Sequence, residues 1–116
     1  MEDYLEMIYR KLKLKEIITI TSLSANLHIK KSSCSKMISK LKSLSLVEVN
    51  HNDITLTKNG NKIGLFLYRR HHILEDFLKK LNKENFKLEQ VEKIEHFIDI
   101  ITLQNIQKLN KKDELF

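Results

Sequence analysis

Val91-Glu92-Lys93-Ile94-Glu95-His96 brings two carboxylates and an imidazole into one short stretch. Coiled as a helix, Glu92, Glu95 and His96 fall at i, i+3 and i+4 and project from one side. Those residue types at that spacing make half of a site for a divalent metal. The apolar stripe of the same helix runs Leu88, Val91, Glu95, Ile98, so Glu95 takes a place the core normally claims. A glutamate is almost never fully buried unless paired, and burying its charge alone costs several kcal/mol. Something positive is therefore expected against Glu95.

Other metal-ligating residue types are scattered and read two ways. Asp3 and Glu6 share a face of a first helix, but acids in a first turn also serve the helix dipole. His71 lies on the apolar stripe of a long helix, four residues after Leu67 and three before Leu74. A histidine there is a hydrogen-bonded core residue or a ligand. His72 falls off the stripe and is expected to be exposed.

The elements that must position these residues are mostly helical. With no proline and only Gly60 and Gly64, the chain favours helices over turn-rich β architecture. The spacing predicts a helix over 2–14 with Leu5, Ile8 and Leu12 inward. An extended lead-in or small strand follows at 17–20, then a short helix capped by Thr21 and running to 27. His28-Ile29-Lys30 is a tight turn. A helix over 32–44, capped by serines, turns Cys34, Met37, Ile38, Leu41 and Leu44 inward. Two short β runs, 46–49 and 54–57, flank Asn50-His51-Asn52-Asp53, residues that tolerate positive φ, and so form a hairpin. A long helix over 58–81 carries the stripe Ile63, Phe66, Leu67, Leu74, Phe77, Leu78, Leu81. After a polar loop come helices over 88–100 and 102–109 and a polar tail over 110–116.

Helix, short helix, turn, helix, hairpin is the order of a winged helix-turn-helix domain. Charge supports a polyanion partner for it. Residues 1–64 hold 11 Lys/Arg against 6 Asp/Glu and so carry most of the net +6, and no acid stands between Ile17 and Val47. The outward face of the third helix presents Ser32, Ser33, Ser35, Lys36 and Ser39, a face of short hydroxyls and lysine that suits a DNA groove. Lys30, Lys31 and Lys40 are placed to hold phosphates. The fold class is thus mainly α with a small β-hairpin wing: a winged helix-turn-helix domain over 1–62, then a helical domain over 63–116, which the resemblance described next makes a metal-binding and dimerisation domain. No apolar run approaches the roughly 18 residues of a spanning helix, and no signal-peptide layout opens the chain, so a cytoplasmic protein is expected. The lone Cys34 excludes an internal disulfide and a cysteine-based zinc site.

Several stretches together resemble the diphtheria-toxin-repressor family, most closely its manganese regulators. They are Met1-Glu2-Asp3-Tyr4-Leu5-Glu6-Met7-Ile8-Tyr9, Ser32-Ser33-Cys34-Ser35-Lys36-Met37-Ile38 and Leu56-Thr57-Lys58-Asn59-Gly60-Asn61-Lys62-Ile63-Gly64. Arg70-His71, Leu74-Glu75 and Phe77-Leu78 match the metal-binding half, as do Val91-Glu92 and Ile94-Glu95-His96. The resemblance implies a ligand set of Asp3, Glu6, His71, Glu92, Glu95 and His96 around two ions. Asp3, Glu92, Glu95 and His96 would hold one ion, and Glu6 and His71 the other. Four carboxylates balance two divalent cations. Carboxylates and imidazoles without thiolate suit Mn²⁺, with Fe²⁺ as the alternative. Iron-selective relatives characteristically carry cysteine where this chain has Glu92 and methionine where it has Asp3, and both replacements favour Mn²⁺.

The resemblance also implies a mechanism. Metal joins the DNA-binding half to the second half, which forms a homodimer. The two recognition helices are thereby set about 34–36 Å apart, one turn of DNA, to read a palindromic operator in double-stranded DNA. The implied role is repression of metal-uptake genes, with no membrane or small-molecule substrate as partner. Departures from the family pattern are specific. His28 and Ser45 stand where glycine is usual, Lys31 replaces a common proline, and Asn52-Asp53 replaces a basic wing tip. The chain stops short of the family's last dimer-forming helix, so dimerisation is expected to rest on the long helix and the 88–109 pair.

Two other readings remain from the residues alone. One is a winged-helix regulator that senses no metal. The other is a small di-metal carboxylate enzyme, but its Glu-x-x-His spacing is not met, because His96 follows Glu92 by four and Glu95 by one. No nucleophile or phosphate loop accompanies it, and the chain is not expected to be an enzyme.

Overall fold

The computed structural model describes residues 1–112. The chain divides into two compact units, Met1–Tyr68 and Arg69 onward, with the boundary inside a long helix.

In the first unit, α1 (Glu2–Lys13) is amphipathic, with Leu5 and Ile8 buried, acids in its first turn and Arg10, Lys11 and Lys13 in its last. Both charge biases suit the helix dipole. The residues at 17–19 form no strand, and Ile20 already opens the next helix. One hydrogen bond from Ile54 N–H to the Ile18 carbonyl (2.8 Å) ties the lead-in to the hairpin. Thr19, not Thr21, caps α2 (Ile20–Leu27). Its hydroxyl accepts from Ser22 N–H (3.1 Å), while Thr19 N–H donates to Ser22 Oγ (2.9 Å). The reciprocal box satisfies two helix-end donors at once, which a cap at Thr21 does not.

His28 ends α2 with φ 56°, the left-handed turn that a glycine would normally occupy. The next helix, α3 (Lys31–Ser43), starts one residue before the expected serines. Lys30 is its N-cap and makes no side-chain cap bond. Cys34, Ile38 and Leu41 are buried at i, i+4, i+7, whereas Leu44 lies past the helix end and is half exposed. Ser45 then reverses the chain at φ 59°. Strands β1 (Val47–Asn50) and β2 (Asp53–Leu56) pair antiparallel, Val47 with Leu56 and Asn50 with Asp53. Both turn residues, His51 and Asn52, have positive φ (48° and 72°), the twist-matched two-residue hairpin.

Helix α4 (Lys58–Asn82) follows directly. Its inward line in the first unit is Gly60, Gly64 and Leu67; Ile63 and Phe66, expected inward, are 38% and 40% exposed. The glycines explain the rotation. A methyl group on Gly60 would meet the Leu46 carbonyl oxygen at 1.9 Å, and one on Gly64 would meet Tyr9 Cβ at 2.7 Å. Close backbone approach has displaced side-chain packing on that face. Thr57 locks the junction, donating to the Ser45 carbonyl (2.6 Å) and accepting from Gly60 N–H (3.1 Å).

In the second unit, Leu74, Leu78, Val91 and Leu103 form the core. The helix expected over 88–100 is broken into α5 (Leu88–Ile94) and a 3₁₀ turn at Glu95–Phe97, before α6 (Ile100–Asn110) begins. Leu81 and Leu88 are about half exposed rather than core. The expected polar tail starts inside α6. Asn110 is tied down, its Nδ2 donating to the Ile73 carbonyl (3.1 Å) and its own carbonyl accepting from Lys80. The remainder of that tail, 113–116, lies outside the described residues. Among the described residues, no helix is long and apolar enough to cross a membrane.

Gly60→Ala is expected to destabilise the first unit by about 1–3 kcal/mol or more, because the obstacle is backbone rather than a mobile side chain. Urea denaturation checks this, with the exposed neighbour variant Asn61→Ala expected to stay within about 0.5 kcal/mol of wild type.

Candidate metal centre and nucleic-acid face

The second unit gathers three of the six implied ligands. Val91 in the last turn of α5 is fully buried, so Glu95, one turn on, follows it into the interior and is 4% exposed. His71 reaches it from α4. His71 Nδ1 lies 3.0 Å from Glu95 Oε2, with side-chain exposures of 12% and 5%. The group that faces Glu95 is thus an imidazole. His96 Nε2 stands 3.8 Å from Glu95 Oε1, an electrostatic neighbour rather than a hydrogen-bond partner.

Glu92, Glu95 and His96 do not share one exposed helical side. Glu92 is on α5 and exposed, Glu95 is buried, and His96 is partly exposed in the 3₁₀ turn. Asp99 causes the break. Its Oδ1 accepts Thr102 N–H (2.7 Å) and caps α6, so the chain must leave the helix before it.

Asp3 and Glu6 belong to the first unit, on α1. Asp3 is exposed, and the Glu6 carboxylate takes a 2.7 Å bond from Arg10. Among the described residues, no group of three or more His, Cys, Asp or Glu side chains is already arranged to hold an ion. The donor chemistry of the His71–Glu95 pair nevertheless fits one. An imidazole nitrogen and a carboxylate oxygen are both donors that a divalent cation accepts, and His71 Nδ1 and Glu95 Oε2 stand within hydrogen-bond distance of each other, 3.0 Å.

One participant escaped the sequence reading. Glu75 Oε2 lies 3.2 Å from His71 Nε2, and Lys79 Nζ lies 2.8 Å from Glu75 Oε1. The hydrogen bond from Lys79 is the main cause holding the Glu75 carboxyl below its ordinary value, with the charges of Lys79, His71 and His72 adding to it. The available signal was the i, i+4 spacing of His71 and Glu75 on one helix.

In the first unit, Lys30, Lys31, Ser32, Ser33, Ser35, Lys36, Ser39 and Lys40 are all exposed, while Cys34, Ile38 and Leu41 of the same helix are buried. Burial pushes the Cys34 thiol up, consistent with a small core residue. The outward face of α3 carries hydroxyls and positive charge and no acid.

Residues 1–53 match the iron dependent repressor N-terminal DNA-binding domain, and residues 57–114 its metal binding and dimerisation domain. The chain belongs to the iron-dependent repressor family of metal-dependent, DNA-binding transcriptional regulators. It is 39% identical over 111 residues to the HTH-type transcriptional regulator MntR of Shouchella clausii, covering 94% of this chain and 78% of that protein. Among solved structures it is similar to the manganese regulator SloR, at 28% identity and TM-score 0.79, covering 93% of this chain and 52% of that one. It is also similar to a manganese-dependent transcriptional repressor in complex with manganese, at 26% identity and TM-score 0.82, covering 95% and 52%. The chain spans about half the length of these solved relatives. The family is one of DNA-binding transcriptional regulators.

The cap that follows the Glu95–Phe97 turn is expected to respond to pH. Hydrogen bonding by Thr102 lowers the Asp99 carboxyl from its ordinary 3.8. A depressed carboxylate stabilises the fold above its unfolded value, and that stability is lost as pH falls through the folded one. Asp99→Ala is therefore expected to be less stable than wild type at neutral pH. The gap should close as pH drops below about 4, as read by urea midpoints across pH.

Proposed function

We propose that this protein is a cytoplasmic repressor of manganese-uptake genes, with Mn²⁺ as co-repressor. The observation that carries the reading is the buried Glu95 carboxylate set 3.0 Å from His71 Nδ1. Asp3, Glu6, His71, Glu92, Glu95 and His96 are the proposed ligands of two ions per chain. Bound Mn²⁺ supplies the positive charge that lets four carboxylates share one site. Support for manganese over softer metals comes from a donor set of oxygen and imidazole without thiolate, and from solved relatives named as manganese regulators.

The chain's own residues then divide the work. Asp3 and Glu6 commit α1 of the DNA-binding unit, and the other four commit the second unit, so one ligand set spans both. The second unit pairs with its copy. Phe97, Ile100 and Ile101 are 88%, 57% and 66% exposed, an apolar surface suited to self-association. In the pair, two α3 helices address a palindromic operator. Ser32, Ser33, Ser35, Lys36 and Ser39 face the bases, and Lys30, Lys31 and Lys40 hold phosphates. Coupling of metal and DNA sites has a typical size of about 1–3 kcal/mol.

A winged-helix regulator answering another signal is the second reading. It draws on the Glu6–Arg10 ion pair, which engages one proposed ligand within α1. Titration calorimetry separates the two. Wild type is expected to bind about two Mn²⁺ per chain, and Glu95→Gln to lose at least half that stoichiometry. Absence of saturable binding by wild type would remove the metal reading.

A further inference from the structure

Strand β2 has a neighbour on each side. β1 pairs with it on one, and on the other its Ile54 N–H donates to the Ile18 carbonyl (2.8 Å). β1 has a strand neighbour on one side only. Antiparallel partners alternate between pairs that exchange hydrogen bonds and pairs whose N–H and C=O groups point away from each other. Ile54 directs its N–H to Ile18, so the Val49–Ile54 pair is of the second kind, and so is the Val47–Leu56 pair two positions along. Val47 and Val49 therefore turn their backbone groups to the open edge of β1. Among the described residues, no backbone hydrogen bond takes them.

A groove runs along this edge, lined by Lys42 and Ser45 around the end of α3 and by Val47, Glu48, Val49 and Asn50. Lys42 and Glu48 are both exposed, and among the described residues neither is in an ion pair. Two opposite charges thus flank an open strand edge without neutralising each other.

We propose that the open edge of β1 pairs antiparallel with β1 of a second copy of this chain, with Lys42 of each copy against Glu48 of the other. The charges favour a copy over an unrelated strand. A twofold contact is self-complementary, so if Lys42 meets the copy's Glu48, then Glu48 meets the copy's Lys42. Two residue types in one groove then supply two ion pairs. Pairing Val49 with the copy's Val49 uses backbone groups already aimed outward. It also sets each Glu48 opposite an Asn50 rather than opposite the other Glu48, where like charges repel. A strand of four residues makes a weak contact, because a short edge limits self-pairing. The family's dimerisation domain matches residues 57–114, so this contact is a different one, made through the DNA-binding unit.

Sedimentation equilibrium of the full chain over a range of concentrations tests this, with hydrogen exchange of the Val49 amide read in parallel. Wild type is expected to show an association step that weakens with added salt, and Val49 exchange that slows as concentration rises. Lys42→Glu and Glu48→Lys each put like charges at both ends of the contact, and each should weaken that step by about tenfold or more. Both positions are exposed, so the fold should survive the changes. The combined variant K42E/E48K restores opposite charges and should recover the step. A wild type with no such step, as when the edge takes DNA or another protein's strand instead, overturns the proposal. So does a step that neither single reversal weakens, a double reversal that fails to recover it, or Val49 exchange that is independent of concentration.

Discussion

Burying Glu95 is the constraint on which the second unit depends. Breaking a buried ion pair by removing one partner costs about 3–5 kcal/mol. That is a large share of the roughly 5–15 kcal/mol by which a domain is stable. The unit therefore has to keep a positive or hydrogen-bonding group against this carboxylate. His71 does so from α4, and the turn at Glu95–Phe97 exists to bring the carboxylate to it. Val91 anchors the turn on one side and the Asp99 cap on the other. In the proposed function, this is the carboxylate that a metal ion would engage.

The first unit is built on a different economy. Its tightest joints are backbone contacts: the Leu46 carbonyl against Gly60, Tyr9 against Gly64, and the Ser45–Thr57–Gly60 chain of hydrogen bonds. These fix the hairpin and the start of α4 against the core. They leave α3 with its outward face unburdened by packing, so hydroxyls and lysines there are available to a polyanion. In the proposed mechanism α1 would supply Asp3 and Glu6 as ligands, and metal and DNA affinities would then raise each other by the same factor.

Much of this was legible in the residues. His28 and His51-Asn52 were identifiable as positive-φ positions by type, and Ser45 by its place in a position usually held by glycine. The misplaced polarity of Glu95 on an apolar stripe pointed to the central pair. Other features were hidden for physical reasons. The inward line of α4 runs through Gly60 and Gly64, which carry no apolar side chain, so the stripe drawn through Ile63 and Phe66 was rotated from the true one. The break after Ile94 was masked because Ile98 continued the periodicity, while one capping bond from Asp99 outweighed it. Glu75 was quoted within the metal-binding half, but its own contact with His71 depends on side-chain geometry that spacing alone does not fix.

Hydrogen exchange of the amides in α1 and in the 92–97 segment, with and without Mn²⁺, tests the central claim most directly. Exchange reports local opening free energies segment by segment. If one ligand set draws on both units, protection should rise in both segments together, over the same range of Mn²⁺ concentration. Protection that rises around 92–97 while α1 exchanges unchanged would contradict the account, confining the metal to the second unit and leaving DNA binding without its proposed link to it.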